Sequence, residues 1–318
     1  MGVRNPFRDR VWLVTLLALV VLVIVNRFLQ PNLFTPNVLK SNLTVFLPMV
    51  LVAIGQTYVV LGGDIDLSVG SVAALVNVVT VSVIAAMAAS LGDAGAVWLG
   101  IGAGVLTGIA CGLLNGFFIA VLRFQPIVAT FASGIIFGGL ALRVLPTAGL
   151  PVPAPYWRSY GGGVFGVPTV LIIFIVALIV IAFLARHRFL THLSAVGGLR
   201  NAAFQTGLPV ARIRLTAYVL SGLFAAFASL CLTGETASGD PLLGRTLALT
   251  SVSAVVLGGT ALAGGRGSAF GSVLGALVLG MIGQLIFFAK LPFDYQTLIQ
   301  GVIILLALAG GVLVSRRT

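Results

Sequence analysis

Charge is what this sequence has least of. Only 7 of its 318 residues are acidic and 18 basic, so charged residues make up 8% of the chain against 59% hydrophobic, with a mean hydropathy of +1.17. So few polar groups could not cover a water-facing surface, which excludes a soluble globular domain and points to an integral membrane protein. The net charge of +11 does not signal nucleic acid, because the basic residues stand singly between long apolar runs and form no dense patch. Cysteine is nearly missing too. Cys111 and Cys231 lie in apolar segments with no CxxC and no nearby histidine, which reads as two buried hydrophobes rather than a disulfide or metal site. Signatures of chemistry are also lacking: there is no GxxxxGK[ST], HExxH or GxSxG, and both histidines, His187 and His192, share one polar loop. The chain is therefore not expected to be an enzyme or to hold a cofactor or metal of its own.

What is present is a succession of apolar runs. A membrane-crossing helix needs about 20 mostly apolar residues, and ten such runs lie near 11–29, 43–61, 67–90, 95–122, 126–145, 164–185, 213–233, 247–263, 268–289 and 295–314. The first follows MGVRNPFRDR and mimics a signal peptide, but Asn26-Arg27-Phe28 offers no small-residue cleavage site, so it is expected to stay as a span. The expected fold is a single all-α membrane domain over 1–318 with about ten transmembrane helices. Ten crossings put both termini on one side. That side carries 12 of the 18 basic residues, so the termini are expected in the cytoplasm. Two loops are long. The external one, about 146–163, carries Tyr156, Trp157 and Tyr160, suited to lying at the membrane surface. The cytoplasmic one, about 186–214, holds five arginines and both histidines and is large enough to be a docking surface.

Glycines at 100, 104, 108, 112 and 116, and again at 267, 271 and 275, recur every four residues and would let neighbouring helices approach closely. The pentapeptide VVLGG occurs at 59–63 and 255–259, each time before a polar or glycine-rich break. Ionisable residues near mid-span are almost absent, which argues against a proton- or sodium-coupled carrier. The intramembrane polar residues are neutral. Gln56, Asn77, Asn115, Thr130, Ser133 and Gln284 are candidates to line a pathway for a hydroxyl-rich solute, with helix–helix hydrogen bonding as the competing use. Transport without ion-coupling residues or an ATPase needs a partner to supply energy, and 186–214 is where an ATPase could push.

Four stretches then carry a resemblance. They are GGDIDLSVGS (62–71), LLNGFFIAVLRFQPIVATFASG (113–134), GGLRNAAFQTGLPVARIRLTAYVLSG (197–222) and SAVVLGGTALAGGRGSAFGSVLGALVLG (253–280). In this order and spacing they resemble the permease subunits of ribose-type sugar ABC importers, a group that includes ribose, xylose, arabinose and galactofuranose systems. The resemblance implies a type II ABC importer-like bundle in the bacterial inner membrane, paired with a second permease copy or paralogue. It also implies cytoplasmic ABC ATPase subunits, which bind the ATP and magnesium, and a periplasmic sugar-binding protein. Carried over by motif, Gly198, Asn201, Ala202, Ala203 and Gly207 form the ATPase contact, and Gly63, Asp66, Ser68 and Gly70 belong to the signature. External Arg143, Arg158 and Arg245 are candidates to meet acidic patches on the binding protein. A related permease for nucleosides or branched-chain amino acids is the nearest alternative, and an ion-coupled secondary transporter a more distant one.

Two residues of the signature invite separate expectations. Asp66 can cap the helix that follows by accepting the Ser68 or Val69 backbone N–H at the positive end of the helix dipole. Alternatively, the break lines a pathway. Asp64 stands where glycine is the commoner family residue, so Asp64→Gly is expected to be tolerated. The family's usual Glu-Leu-Asp aligns with Ala248, Leu249 and Thr250, which leaves the sugar open.

Overall fold

The computed structural model describes residues 11–290, together with 292, 295, 298, 301, 302 and 305. Among the described residues eleven α-helices dominate, with four two-residue strands in loops. Helix α1 spans Val11–Leu29, α2 Pro36–Leu61, α3 Val69–Gly116 with a π-helical extension Phe117–Val121, and α4 Pro126–Val144. After the long loop that holds the short α5 (Ala154–Gly161) come α6 (Thr169–Arg186), α7 (Arg188–Gly198) and α8 (Arg200–Gln205). Helices α9 (Val210–Thr236), α10 (Leu247–Leu257) and α11 (Ala269–Phe288) complete the described set. Prolines at the first turn of α2 and α4 set their starts, where the missing N–H has no intrahelical partner to lose.

Seven helices among the described residues are long and apolar enough to cross a membrane, not ten. Four of the expected spans account for the difference, two of them because they are continuous and count as one. The tenth, 295–314, lies mostly outside the described residues. The eighth stops at Leu257, and its 11 residues reach only about 16 Å, half a bilayer core. The third and fourth form one 53-residue stretch, Val69–Val121, which would extend about 80 Å if straight. It is not straight. Gly92 adopts φ 67°, ψ 166°, and the chain folds back there. A Cβ on Gly100 would meet Ile84 and the Thr80 carbonyl, and one on Gly104 would meet the Thr80 hydroxyl, so the two halves of α3 run antiparallel.

Helix α2 is the hub, buried from Phe46 to Leu61 except for the half-buried Met49, and packed against α9, α10 and α11. Helices α1 and α6 are its opposite, apolar and largely exposed, as befits surfaces that face lipid. The glycine stripes work as spacers. On α3, Gly108 and Gly112 bring the backbone against the Gly222 and Tyr218 carbonyls of α9, while Gly271 and Gly275 of α11 lie against Gly258 and Ala254 of α10. A Cβ at any of the four would approach those carbonyl oxygens to within 2.0–2.5 Å.

The 146–163 loop packs onto the bundle. Its strand Leu150–Pro151 pairs antiparallel with Ser238–Gly239. Tyr156 and Tyr160, expected at the interface, turn inward and donate to the Leu230 and Thr44 carbonyls at 2.9 and 3.0 Å. Burial pushes both phenols above their ordinary pKa, so they remain neutral donors. Trp157 stays half-exposed, with the Arg158 guanidinium 5.2 Å from its ring centroid.

Candidate functional site

The two VVLGG segments build the same backbone stop. Gly62 and Gly258 end their helices in nearly identical conformations, and Gly63 and Gly259 follow with φ +80° and +83°. In the first, the Asp64 N–H donates to Val59 O (3.2 Å) and the Gly63 N–H to Val60 O (2.9 Å). In the second, Thr260 N–H reaches Val255 O (3.1 Å) and Gly259 N–H reaches Val256 O (2.9 Å). This is the paired-hydrogen-bond helix ending that favours a left-handed glycine. The two stops meet: the Gly265 N–H donates to Leu61 O at 2.9 Å, and Gly264 sits against Gly63. Gly197 at the end of α7 completes the junction, where a Cβ would lie 1.8 Å from Leu61 O.

From the first stop the chain turns back into the bundle through Ile65 to Ser68. Asp66, 2% exposed, is held on both carboxylate oxygens. Oδ1 accepts from the Ser68 N–H (2.9 Å) and hydroxyl (2.6 Å), and Oδ2 accepts from the Ser221 hydroxyl of α9 (3.0 Å). The Gln56 amide faces the Asp66 backbone and, with its orientation assigned by the hydrogen-bonding pattern, donates its nitrogen to the carbonyl and accepts the N–H on its oxygen, both at 3.2 Å. Asn115 donates to the Ser68 hydroxyl at 2.7 Å, and Thr130 Oγ1 accepts the Leu67 N–H at 3.1 Å. Four helices thus converge on seven residues of non-helical backbone. In lipid such backbone persists only where protein or water satisfies it. Ser68 is the residue flanking α3, and its own side chain makes no cap hydrogen bond; Asp66 satisfies the Ser68 N–H from two residues before.

Asp64 overturns the expectation attached to it. It is 4% exposed and forms a two-pronged ion pair with Arg214 of α9, Nε to Oδ2 and Nη2 to Oδ1, both 2.9 Å. Arg214 is itself 5% exposed, and its Nη1 donates to Ile119 O in the π-helical segment at 3.1 Å. Arg200, first residue of α8, adds a third contact, Nη2 to Oδ1 at 3.1 Å. Asp64→Gly would leave a guanidinium buried without its counter-ion, so tolerance is not expected.

The other predicted residues fall into two sets. Gln56, Asn115 and Thr130 gather around the Asp66 segment, and Ser133 donates to Thr130 O at 3.1 Å. Asn77 and Gln284 lie elsewhere. Asn77 ties α3 to Thr233, Ser238 and the Asp240 N–H, and Gln284 pairs with Asn42. None of the six lines the cleft of about 280 Å³ that opens beside them, whose walls include Leu67, Ser71, Phe131, Gly134, Arg245 and Ala248. Arg245, itself exposed, is among the residues at this cleft, where the chain after Asp240 runs along α3. A Cβ on Gly70 would lie 2.5 Å from the Gly244 carbonyl.

In the 186–214 loop, α8 presents Asn201 and Ala202 outward, with Gly198 and Gly207 exposed at its two ends. Gly207 ends the helix at φ +81°, with Leu208 N–H donating to Ala203 O at 3.2 Å. Ala203 differs from expectation: it is 5% exposed and packs into the main apolar cluster, beneath the outward face rather than on it. Leu199 and Phe204, 73% and 70% exposed, supply that face with large apolar side chains that lie outside the residues carried over by motif. An apolar pair beside polar loops is the signal that could have found them.

Residues 38–308 match the family described as branched-chain amino acid transport system / permease component. The chain is 34% identical over 296 residues to the ribose import permease protein RbsC of Bacillus subtilis (strain 168), covering 92% of this chain and 89% of that one. It is 32% identical over 316 residues to the RbsC of Escherichia coli (strain K12), covering 94% of each. It is 34% identical over 280 residues to the L-arabinose ABC transporter permease protein AraH of Azospirillum brasilense, covering 87% and 80%. No solved structure matches the chain.

Proposed function

The chain belongs to the transport-system permease-component family, and from that premise we propose that it forms the translocation pathway of an ATP-driven sugar importer. It would work in the bacterial inner membrane with both termini in the cytoplasm, beside a second permease copy or paralogue. A separate cytoplasmic ATPase would bind ATP and magnesium, and a periplasmic binding protein would deliver the sugar. The observation that carries this reading is α8: a short helix with Leu199 and Phe204 bare, set between α7 and α9 at the end where the helix breaks meet. A bare apolar knob of this kind suits a cleft on a partner. The ribose and arabinose permeases similar to this chain favour sugar over the branched-chain amino acids of the family description.

ATP-driven closure of the ATPase pair would move α7 and α8 and reverse which side of the pathway is open. The test is uptake into proteoliposomes holding the permease, its ATPase and its binding protein, with labelled D-ribose and L-arabinose. Uptake should require ATP and both partners. A nucleoside or a branched-chain amino acid taken up in place of either sugar would overturn the substrate class. Uptake that continues without the ATPase and collapses with the ion gradient would overturn the importer reading itself.

A further inference from the structure

The segment between α2 and α3 is anchored at two acids, two residues apart, that hold different partners. Asp64 is gripped by Arg214 and Arg200, both from the cytoplasmic loop and its exit into α9. Asp66, two residues on, is gripped by the intramembrane cluster of Ser68, Ser221 and Gln56. The residues that follow at once, Leu67, Gly70 and Ser71, are walls of the cleft. A displacement of α8 therefore has a short route to the cleft, across the Arg200–Asp64 ion pair and then along the backbone from Asp64 to Leu67. Because α8 begins at Arg200, whose guanidinium reaches Asp64 while Asn201, Ala202 and Phe204 face out, the grip is on the moving part.

We propose that Asp64 is a positioning residue that transmits movement of α8 to the cleft wall, with Arg214 as its fixed bearing and Arg200 as the link to the ATPase-facing helix. This rests on the importer reading and deepens it. The two arginines differ in what they hold. Arg214 is buried, two-pronged and also bonded to Ile119 O, so it joins α3, α9 and the break into one body. Arg200 makes a single contact with Asp64 and its side chain is 44% exposed, so it can be removed while the buried pair stays intact. An ion pair that is half in water can also break and re-form as the loop shifts, which a fully desolvated pair cannot do cheaply.

The experiment reads the cleft wall and needs no knowledge of the sugar. Ser71→Cys is introduced with the buried Cys111 and Cys231 each changed to alanine, and the permease is reconstituted with its ATPase. Maleimide labelling at position 71 is timed without nucleotide and after trapping with ATP, magnesium and vanadate. The two states should differ in rate by about fivefold, a modest coupling between sites. Adding Arg200→Gln should bring that ratio close to one while the ATPase still co-purifies and still hydrolyses ATP, and Arg200→Lys should restore part of it. A merely structural contact would not separate hydrolysis from the labelling response. An undiminished ratio in Arg200→Gln would overturn the proposal, as would loss of the ATPase from that complex, since Arg200 would then be an interface residue. No response with Arg200 in place would instead sink the importer reading, and this inference with it.

Discussion

The breaks after α2 and after α10 share a pentapeptide and a backbone, yet only one carries charge. Both stop a helix with Gly-Gly, and both spend the same pair of hydrogen bonds doing so. Asp64 and Thr260 occupy equivalent positions in the two stops. Asp64 meets two arginines, whereas Thr260, 3% exposed, leaves its hydroxyl without a partner among the described residues. The helices that follow also start differently. Ser268 caps α11 by accepting the Gly271 N–H at 3.0 Å, while Ser68 gives its hydroxyl to Asp66 and accepts from Asn115. The comparison separates two jobs. Glycine pairs shape a stop, and the side chain placed after them decides whether the stop is passive or tied to another part of the molecule.

Substitutions in the two breaks should pull this comparison apart. Asp64→Ala should cost the most, about 3–5 kcal/mol by denaturant titration in micelles, because it strands the buried Arg214 charge. A loss no larger than that of a Thr260 substitution would erase the distinction between the breaks. Ser221→Ala removes a donor to the Asp66 carboxylate and should cost about 1.5–3 kcal/mol, the range for hydrogen bonds to charged groups. Gly63→Ala and Gly259→Ala should cost about 1–2 kcal/mol each, and by similar amounts, because both strain the same left-handed conformation. Unequal values would mean the stops are not equivalent. Thr260→Val should have the smallest effect, neutral to about 1 kcal/mol stabilising, since it exchanges an unpartnered buried hydroxyl for a methyl of similar shape.

Much of the fold was legible as runs of apolar residues ended by proline and glycine. The fifth and ninth spans, expected at 126–145 and 268–289, are observed at 126–144 and 269–288. The first turns of α2 were not legible, because Asn37, Lys40, Ser41 and Asn42 read as loop although Pro36 starts a helix there. The eighth span was expected to run to 263 and stops at 257, where Gly258 and Gly259 outweigh an apolar continuation. At the candidate site, Asp66 could be read as a capping acid from its place before an apolar run. Its second partner, Ser221, lies 155 residues away and leaves no local sign. Asp64 misled because its value depends on a partner, and an acid judged by its neighbours in sequence shows only the cost of burial.

The sequence by itself determined that this is a membrane permease of helices with glycine stops. In lipid each helix must satisfy its own backbone, so spans and breaks are local properties of the chain. Only the tertiary structure decided what the breaks do. The Asp64–Arg214 pair joins residues 150 apart, and a buried charge is tolerable only where packing brings its counter-ion to it.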